Sequence, residues 1–183
     1  MDIIIASQLA GELVNLLSPA CVQIEVAGSV RRCKSEVKDI EIVCEPRYAT
    51  NLDMFGDIIK IAQNFGSHLD AIINTLLGVY RGTLKKNGEK YKQLALTYPH
   101  SINLDFFIVT PPASWGVIFT IRTGPASFSQ RLVTSTRYGG CMPPGWKVQG
   151  GALWHDQDIV PTPTERSLFD AIGLDWIEPM SRS

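Results

Sequence analysis

Leu9, Leu13, Leu16 and Leu17 recur at three- and four-residue intervals until Pro19 breaks the pattern. That spacing lays apolar side chains along one stripe and predicts an amphipathic helix over Ser7 to Leu17. The period then shortens to two. Val22, Ile24 and Val26 alternate with Gln23 and Glu25, which predicts a strand running into Gly28-Ser29. A second strand follows over Asp39 to Cys44. Because side chains alternate across a strand, Asp39 and Glu41 share one of its faces and Ile40 and Ile42 the other. Phe55, Ile58, Ile59, Ala62 and Phe65 return to helical spacing and predict a helix over Asn51 to Phe65, stopped by Gly66, that covers one face of a sheet.

The stretch from Val79 to Leu96 reads as a hairpin with basic arms, its turn signalled by Asn87-Gly88. Ile102 to Val109 is the most apolar strand, and it carries a single acid, Asp105, beside Leu104, Phe106 and Phe107. Thr110-Pro111-Pro112 reads as a linker between two parts of the chain. Trp115 to Ile121 and Ser127 to Tyr138 read as helices, the second ended by Gly139-Gly140. The stretch from Gly139 to Gly151 is rich in Gly and Pro, and a short helix is predicted over Glu165 to Ile172, with capping-box spacing from Thr162 to Glu165. There is no internal repeat.

At 183 residues, 45% of them hydrophobic and 19% charged, the chain is long enough for a real core as one domain or two closely packed subdomains. Cys21, Cys33, Cys44 and Cys141 show neither Cys-x-x-Cys pairing nor a histidine at zinc spacing. They read as buried or free thiols of a reducing compartment, a pattern that argues against a structural zinc. The amino terminus lacks a basic leader and no apolar run approaches membrane-spanning length, so the expectation is a soluble intracellular protein. A formal net charge of −1 gives no global attraction to nucleic acid; any such binding must rest on local patches.

Two acids on one strand face and a third on another strand would repel one another once taken out of water. Divalent cations relieve such crowding. Oxygen-only ligands suit Mg²⁺, which keeps waters and is completed by substrate phosphates. Gly28-Ser29, directly after a strand, supplies backbone and hydroxyl donors for a triphosphate, and Arg31 or Arg32 adds a charge-assisted contact. The matching chemistry is nucleotidyl transfer, in which a hydroxyl attacks in line and pyrophosphate leaves. Plainer readings stand beside this one. An Asp-x-Glu strand is most often a solvated face, Asp105 is equally an acid paired to an arginine in a structural bridge, and Gly28-Ser29 is equally a simple turn. The cluster Arg81, Lys85, Lys86, Lys90 and Lys92 is either a footprint for a nucleic-acid backbone or a soluble hairpin.

Gly28-Ser29, Arg32 and Asp39-x-Glu41, with the acidic pair eleven positions after the glycine, resemble the signature of family X DNA polymerases within the nucleotidyltransferase superfamily. Tyr98-Pro99-His100 leading to Asn103-Leu104-Asp105 is similar to the strand bearing that family's third catalytic aspartate. Arg122-Thr123-Gly124, followed by Phe128, resembles its nucleotide-binding turn. Thr164 to Leu174, ending in Trp176-Ile177-Glu178-Pro179, resembles its carboxy-terminal segment.

The resemblance implies an α+β fold in two parts: a nucleotidyltransferase palm over residues 1–112, a mixed β-sheet with two covering helices, and a small α/β subdomain over residues 113–183 that contacts nucleotide and DNA. It leaves no room for amino-terminal lyase or helix-hairpin-helix parts, and the arrangement is similar to that of very small viral members of the family. Asp39, Glu41 and Asp105 would be catalytic and hold two Mg²⁺ ions, with Mn²⁺ as an alternative, and Asp105 would help deprotonate a primer 3′-hydroxyl. Gly28, Ser29 and Arg32 would meet the phosphates, while Arg122, Thr123 and Gly124 would line sugar and base. Lys85, Lys86, Arg131 and Arg137 would contact DNA. The partners implied are a dNTP and primer-template or gapped DNA, bound by a monomer with no membrane association.

The chain also departs from the family. Glu41 replaces an aspartate, Ile121-Arg122 an aromatic pair that excludes a ribose 2′-hydroxyl, Ser129 an asparagine that reads the base edge, and Val133 an arginine that touches the template. Two alternatives follow: a template-independent or non-DNA nucleotidyltransferase with relaxed sugar selectivity, and a binding module that has lost the reaction.

Overall fold

The computed structural model describes residues 1–47, 50–52, 58–60 and 65–183. The Asp2 side chain accepts a hydrogen bond from the Ile4 amide at 2.8 Å and so caps α1 (Ile3–Leu17), which begins four residues before the leucine stripe predicts. Ala6, Leu9, Ala10, Leu13 and Leu17 form its buried stripe. With the 3-10 turn that follows, Ile3–Ala20 reaches 18 residues and is by length and composition long and apolar enough to cross a membrane, against the expectation from the sequence. Its stripe is instead packed into the largest hydrophobic core.

That core lies on one face of a five-stranded mixed sheet. β1 (Cys21–Val26) pairs antiparallel with β2 (Asp39–Pro46), and β2 pairs parallel with β7 (Ile102–Ile108). β6 (Tyr91–Leu96) and β5 (Thr83–Asn87) complete the antiparallel side, giving the order β1-β2-β7-β6-β5. Ile40, Ile42 and Cys44 of β2 and Leu104, Phe106 and Ile108 of β7 face α1 and α3 (Phe65–Val79), which brings in Leu69, Ile73 and Leu76. The protein is thus α+β, with two helices over one face of a mixed sheet.

The helix expected over Asn51 to Phe65 does not form where the chain is described. β3 (Thr50–Leu52) pairs with β4 (Ile58–Lys60), and the helix begins at Phe65 and runs through Gly66; residues 53–57 and 61–64 lie outside the described residues. A short apolar run has no period of its own that separates strand from helix, and here local pairing decides.

The carboxy-terminal part holds α4 (Trp115–Thr123), α5 (Ala126–Val133), a small antiparallel sheet of β8 (Trp146–Gln149), β9 (Ala152–His155) and β10 (Asp158–Val160), and α6 (Glu165–Ala171). The single helix expected from Ser127 to Tyr138 breaks at Thr134, which is extended, and resumes as a 3-10 turn over Thr136–Tyr138. No strand was expected in the Gly- and Pro-rich tail. Yet Gly150 and Gly151, at φ 63° and 82°, make a two-residue hairpin turn between β8 and β9 that side-chain-bearing residues rarely adopt. The α6 cap also differs, since Thr164 and Ser167 form the capping box. Glu165, expected to cap, is free for another task.

Val117, Phe128, Leu132, Leu153, Leu168 and Phe169 build the core of this second part. A third core joins the two parts: Ala27, Val43, Phe107 and Val109 from the sheet receive Trp115 and Phe119 of α4. It occupies the sheet face opposite α1 and α3, so α4 closes one end of that face and leaves the acid-bearing end half-buried.

Candidate active site

Strand alternation decides which side chains meet. In the parallel β2–β7 pair, Asp39 stands opposite Asn103 and Glu41 opposite Asp105, while Ile40 and Ile42 lie opposite Leu104 and Phe106 in the core. Asp39, Glu41 and Asp105 therefore share one sheet face. Burial, reinforced by the Asp39 charge and opposed by Arg32, pushes Glu41 up to about 7. Burial and then the Asp105 charge raise Asp39 as well. The Asp105 charge thus makes both Asp39 and Glu41 harder to ionise, and the Asp39 charge adds to the effect on Glu41.

Gly28 and Ser29 follow β1 in α2 (Gly28–Arg31), a single helical turn where the sequence suggests an open turn. Gly28 is at φ +60°, and a Cβ there would lie 1.8 Å from Glu41 Oε2, so the acid packs against bare backbone. Ser29 Oγ is buried without a hydrogen-bond partner, as is Arg32 Nε. Buried polar atoms are almost always paired, which makes these two orphans donors awaiting an acceptor. Burial lowers the Arg32 pKa, and the charges of Glu41 and Asp39 counter it.

Thr123 and Gly124, more than ninety positions away, are brought against α2. Arg32 Nη1 donates to the Thr123 carbonyl, and Arg31 Nη1 donates to Thr123 Oγ1 at 2.6 Å. Arg31 is otherwise spent on structure. Its second nitrogen pairs with Glu165 at 2.6 Å, and Glu165 pairs in turn with the buried Arg182 at 2.7 Å. Arg122 stands at the end of α4 with its guanidinium 3.9 Å above the Phe107 ring.

Asp105 is not bridged to an arginine. Its Oδ1 accepts from Tyr91 Oη at 2.7 Å and Gln93 Nε2 at 2.8 Å. Among the described residues no group of three or more His, Cys, Asp or Glu side chains is drawn together as a ready cation cage. The donor chemistry nonetheless fits Mg²⁺: oxygen-only carboxylates on one face, two of them held above the usual carboxylate range, beside orphaned donors suited to phosphate.

The basic residues divide. Lys85 and Lys86 are exposed on the edge strand β5, and Lys86 Nζ lies 5.4 Å from the Tyr91 ring. Lys92 belongs elsewhere: it is buried, pairs with Asp70 at 3.0 Å and donates to Asn87. Arg131 lines a separate cleft of about 380 Å³ with Ser127, Gln130, Thr134 and Tyr138. Arg137 lies 5.9 Å from the exposed Tyr138 ring. Ser129 donates to the Ile121 carbonyl at 2.6 Å, a bond inside the α4–α5 corner. Tyr91, Gln93 and Glu165 were not singled out for the site from the sequence; the period of β6 places Tyr91 and Gln93 on one face, but only the β6–β7 register shows which acid they meet.

No family model matches the chain, and no curated protein matches it significantly.

Proposed function

We propose that this protein is a nucleotidyltransferase with a palm of the family X polymerase type, adding a dNMP to a primer 3′-hydroxyl, with short gap filling as the task. One observation carries this: Asp39, Glu41 and Asp105 on a single sheet face, beside the Gly28-Ser29 turn with its unpartnered hydroxyl. Asp39, Glu41 and Asp105 are the residues to hold Mg²⁺, which when bound makes the phosphoryl group electrophilic and the departing pyrophosphate less costly to release.

The chain's own groups do the rest. Gly28 offers backbone to the phosphates while Glu41 fills the space a side chain would take, and Ser29 Oγ and Arg32 donate to the phosphate oxygens. The free oxygen of Asp105 accepts the proton of the attacking hydroxyl. Thr123-Gly124, tied to α2 through Arg31 and Arg32, holds the sugar end beside the phosphate end. Lys85 and Lys86 line the approach for a DNA backbone, with Arg131 and Arg137 as further contacts. The protein would act as a soluble intracellular monomer.

Template-dependent extension of a gapped primer by the purified chain with Mg²⁺ and dNTPs, lost in Asp105→Asn, supports the proposal; no extension under any template refutes it. A second reading follows from Arg122. A cation over Phe107 in the expected sugar-facing turn offers hydrogen bonds to a hydroxyl, which favours a transferase that accepts NTPs or works without template. Comparing dNTP with NTP, each with and without template, separates the two.

A further inference from the structure

β6 is the antiparallel neighbour of β7, and its register sets Gln93 opposite Asp105 and Tyr91 opposite Phe107. Alternation turns both Tyr91 and Gln93 toward the acid face. Both spend their donors on the same atom, Asp105 Oδ1, at 2.7 and 2.8 Å. A carboxylate oxygen offers about two lone pairs, so Oδ1 is filled. Oδ2 has no hydrogen bond among the described residues.

Tyr91 is itself held. Its ring stacks on Phe107 with centroids 5.1 Å apart, the Arg122 guanidinium lies 3.9 Å from Phe107, and Lys86 Nζ lies 5.4 Å from the Tyr91 ring. Four side chains from β5, β6, β7 and α4 thus form a ladder along the acid face, cation at each end and aromatic rings between. Stacking and cation–π contacts restrain the ring on which the Tyr91 hydroxyl sits.

We propose that Tyr91 and Gln93 are positioning residues for Asp105: together they pin Oδ1, so that Oδ2 alone is presented to the cation and the reacting hydroxyl. This rests on the nucleotidyl-transfer reading and deepens it. Neither residue contacts substrate; each acts through the carboxylate. Second partners of this kind orient a ligating carboxylate, and losing one costs about 10–100-fold in metal affinity or activity.

The test uses the full chain, Asp105→Asn to show which Mn²⁺ binding depends on that acid, and three further variants. Tyr91→Phe removes the donor and keeps the ring, Tyr91→Leu removes both, and Gln93→Met removes the second donor at similar volume. Mn²⁺ alone is titrated and free ion is read by electron paramagnetic resonance, without nucleotide or DNA; kcat and KM for dNTP on gapped DNA and the melting temperature are measured in parallel. Tyr91→Phe and Gln93→Met are expected to weaken Mn²⁺ binding and lower kcat by about 10–100-fold each, with KM nearly unchanged and unaltered melting. A packing role gives the opposite pattern, with Tyr91→Phe like wild type and only Tyr91→Leu impaired, and overturns the proposal. Asp105-dependent Mn²⁺ binding without extension refutes the polymerase reading while the Mn²⁺ titrations still judge the positioning. A wild-type chain showing no Asp105-dependent Mn²⁺ binding overturns both.

Discussion

Glu41 stands directly opposite Asp105 across the parallel β2–β7 pair. With Asp39 on the same face, three acids crowd a half-buried patch, and Glu41 and Asp39 hold their protons to higher pH in the folded chain than in the unfolded one.

Glu41 rises from 4.5 to about 7 on folding, because of burial first and the Asp39 charge second. The folded state binds this proton more tightly than the unfolded state. The associated stability is therefore fully present below about pH 4.5 and is lost as pH rises through about 7. Urea midpoints of the metal-free protein are expected to fall across that window, and Glu41→Gln should flatten the fall and stabilise the protein at pH 8. An unchanged slope in the variant would rule out Glu41 as the source.

Gly28 combines a φ of +60° with a virtual Cβ 1.8 Å from Glu41 Oε2. Gly28→Ala should cost roughly 1–2 kcal/mol for the left-handed backbone alone, with more for displacing the acid. In a double-mutant cycle with Glu41→Ala, the displacement part should vanish and the backbone part remain. Simple additivity would mean that the two residues do not press on each other.

Glu165 joins Arg31 of α2 to Arg182 near the end of the chain, and Arg182 is buried among Phe128, Phe169 and Trp176. Removing the carboxylate leaves a buried guanidinium without its partner. Glu165→Ala should lower stability by about 3–5 kcal/mol in denaturant unfolding. Glu165→Gln, which keeps one acceptor, should cost less, and Arg166→Ala, at a neighbouring exposed position, far less.

The DNA contact proposed for Lys85 and Lys86 should show in salt dependence. Each alanine substitution is expected to weaken DNA binding at all sequences and reduce the slope of log affinity against log salt by about 1. Lys92→Ala should instead lower the melting temperature and leave the slope unchanged, because Lys92 is tied to Asp70 and Asn87. If Lys92 changes the slope and Lys86 does not, the hairpin surface is assigned the wrong way round.

What was legible in the sequence was local and periodic. The leucine stripe of α1, the hairpin around Asn87-Gly88 and the common face of Asp39 and Glu41 follow from periods of 3.6 and 2, which a chain carries wherever it packs. The segment from Asn51 to Phe65 was misread because a few apolar residues satisfy either period, and pairing between Thr50–Leu52 and Ile58–Lys60 settles it. β8 and β9 escape the sequence reading because glycines that look like breakers serve as the turn of a hairpin. Lys92 groups with the surface lysines of the hairpin in either reading of that cluster, because burial is not local information.

Sequence alone determined which residues carry acid, which face of its own strand each acid takes, and where α1 and the hairpin lie, since these depend on neighbours along the backbone. Tertiary structure alone decided that Glu41 meets Asp105, that Tyr91 and Gln93 both hold Oδ1 of that acid, and that Arg31 serves Glu165 and the Thr123 hydroxyl while Arg32 turns to the Thr123 carbonyl. The physical reason is that strand register and helix docking are set by burying apolar faces from distant parts of the chain, and polar partners meet only where that burial carries them.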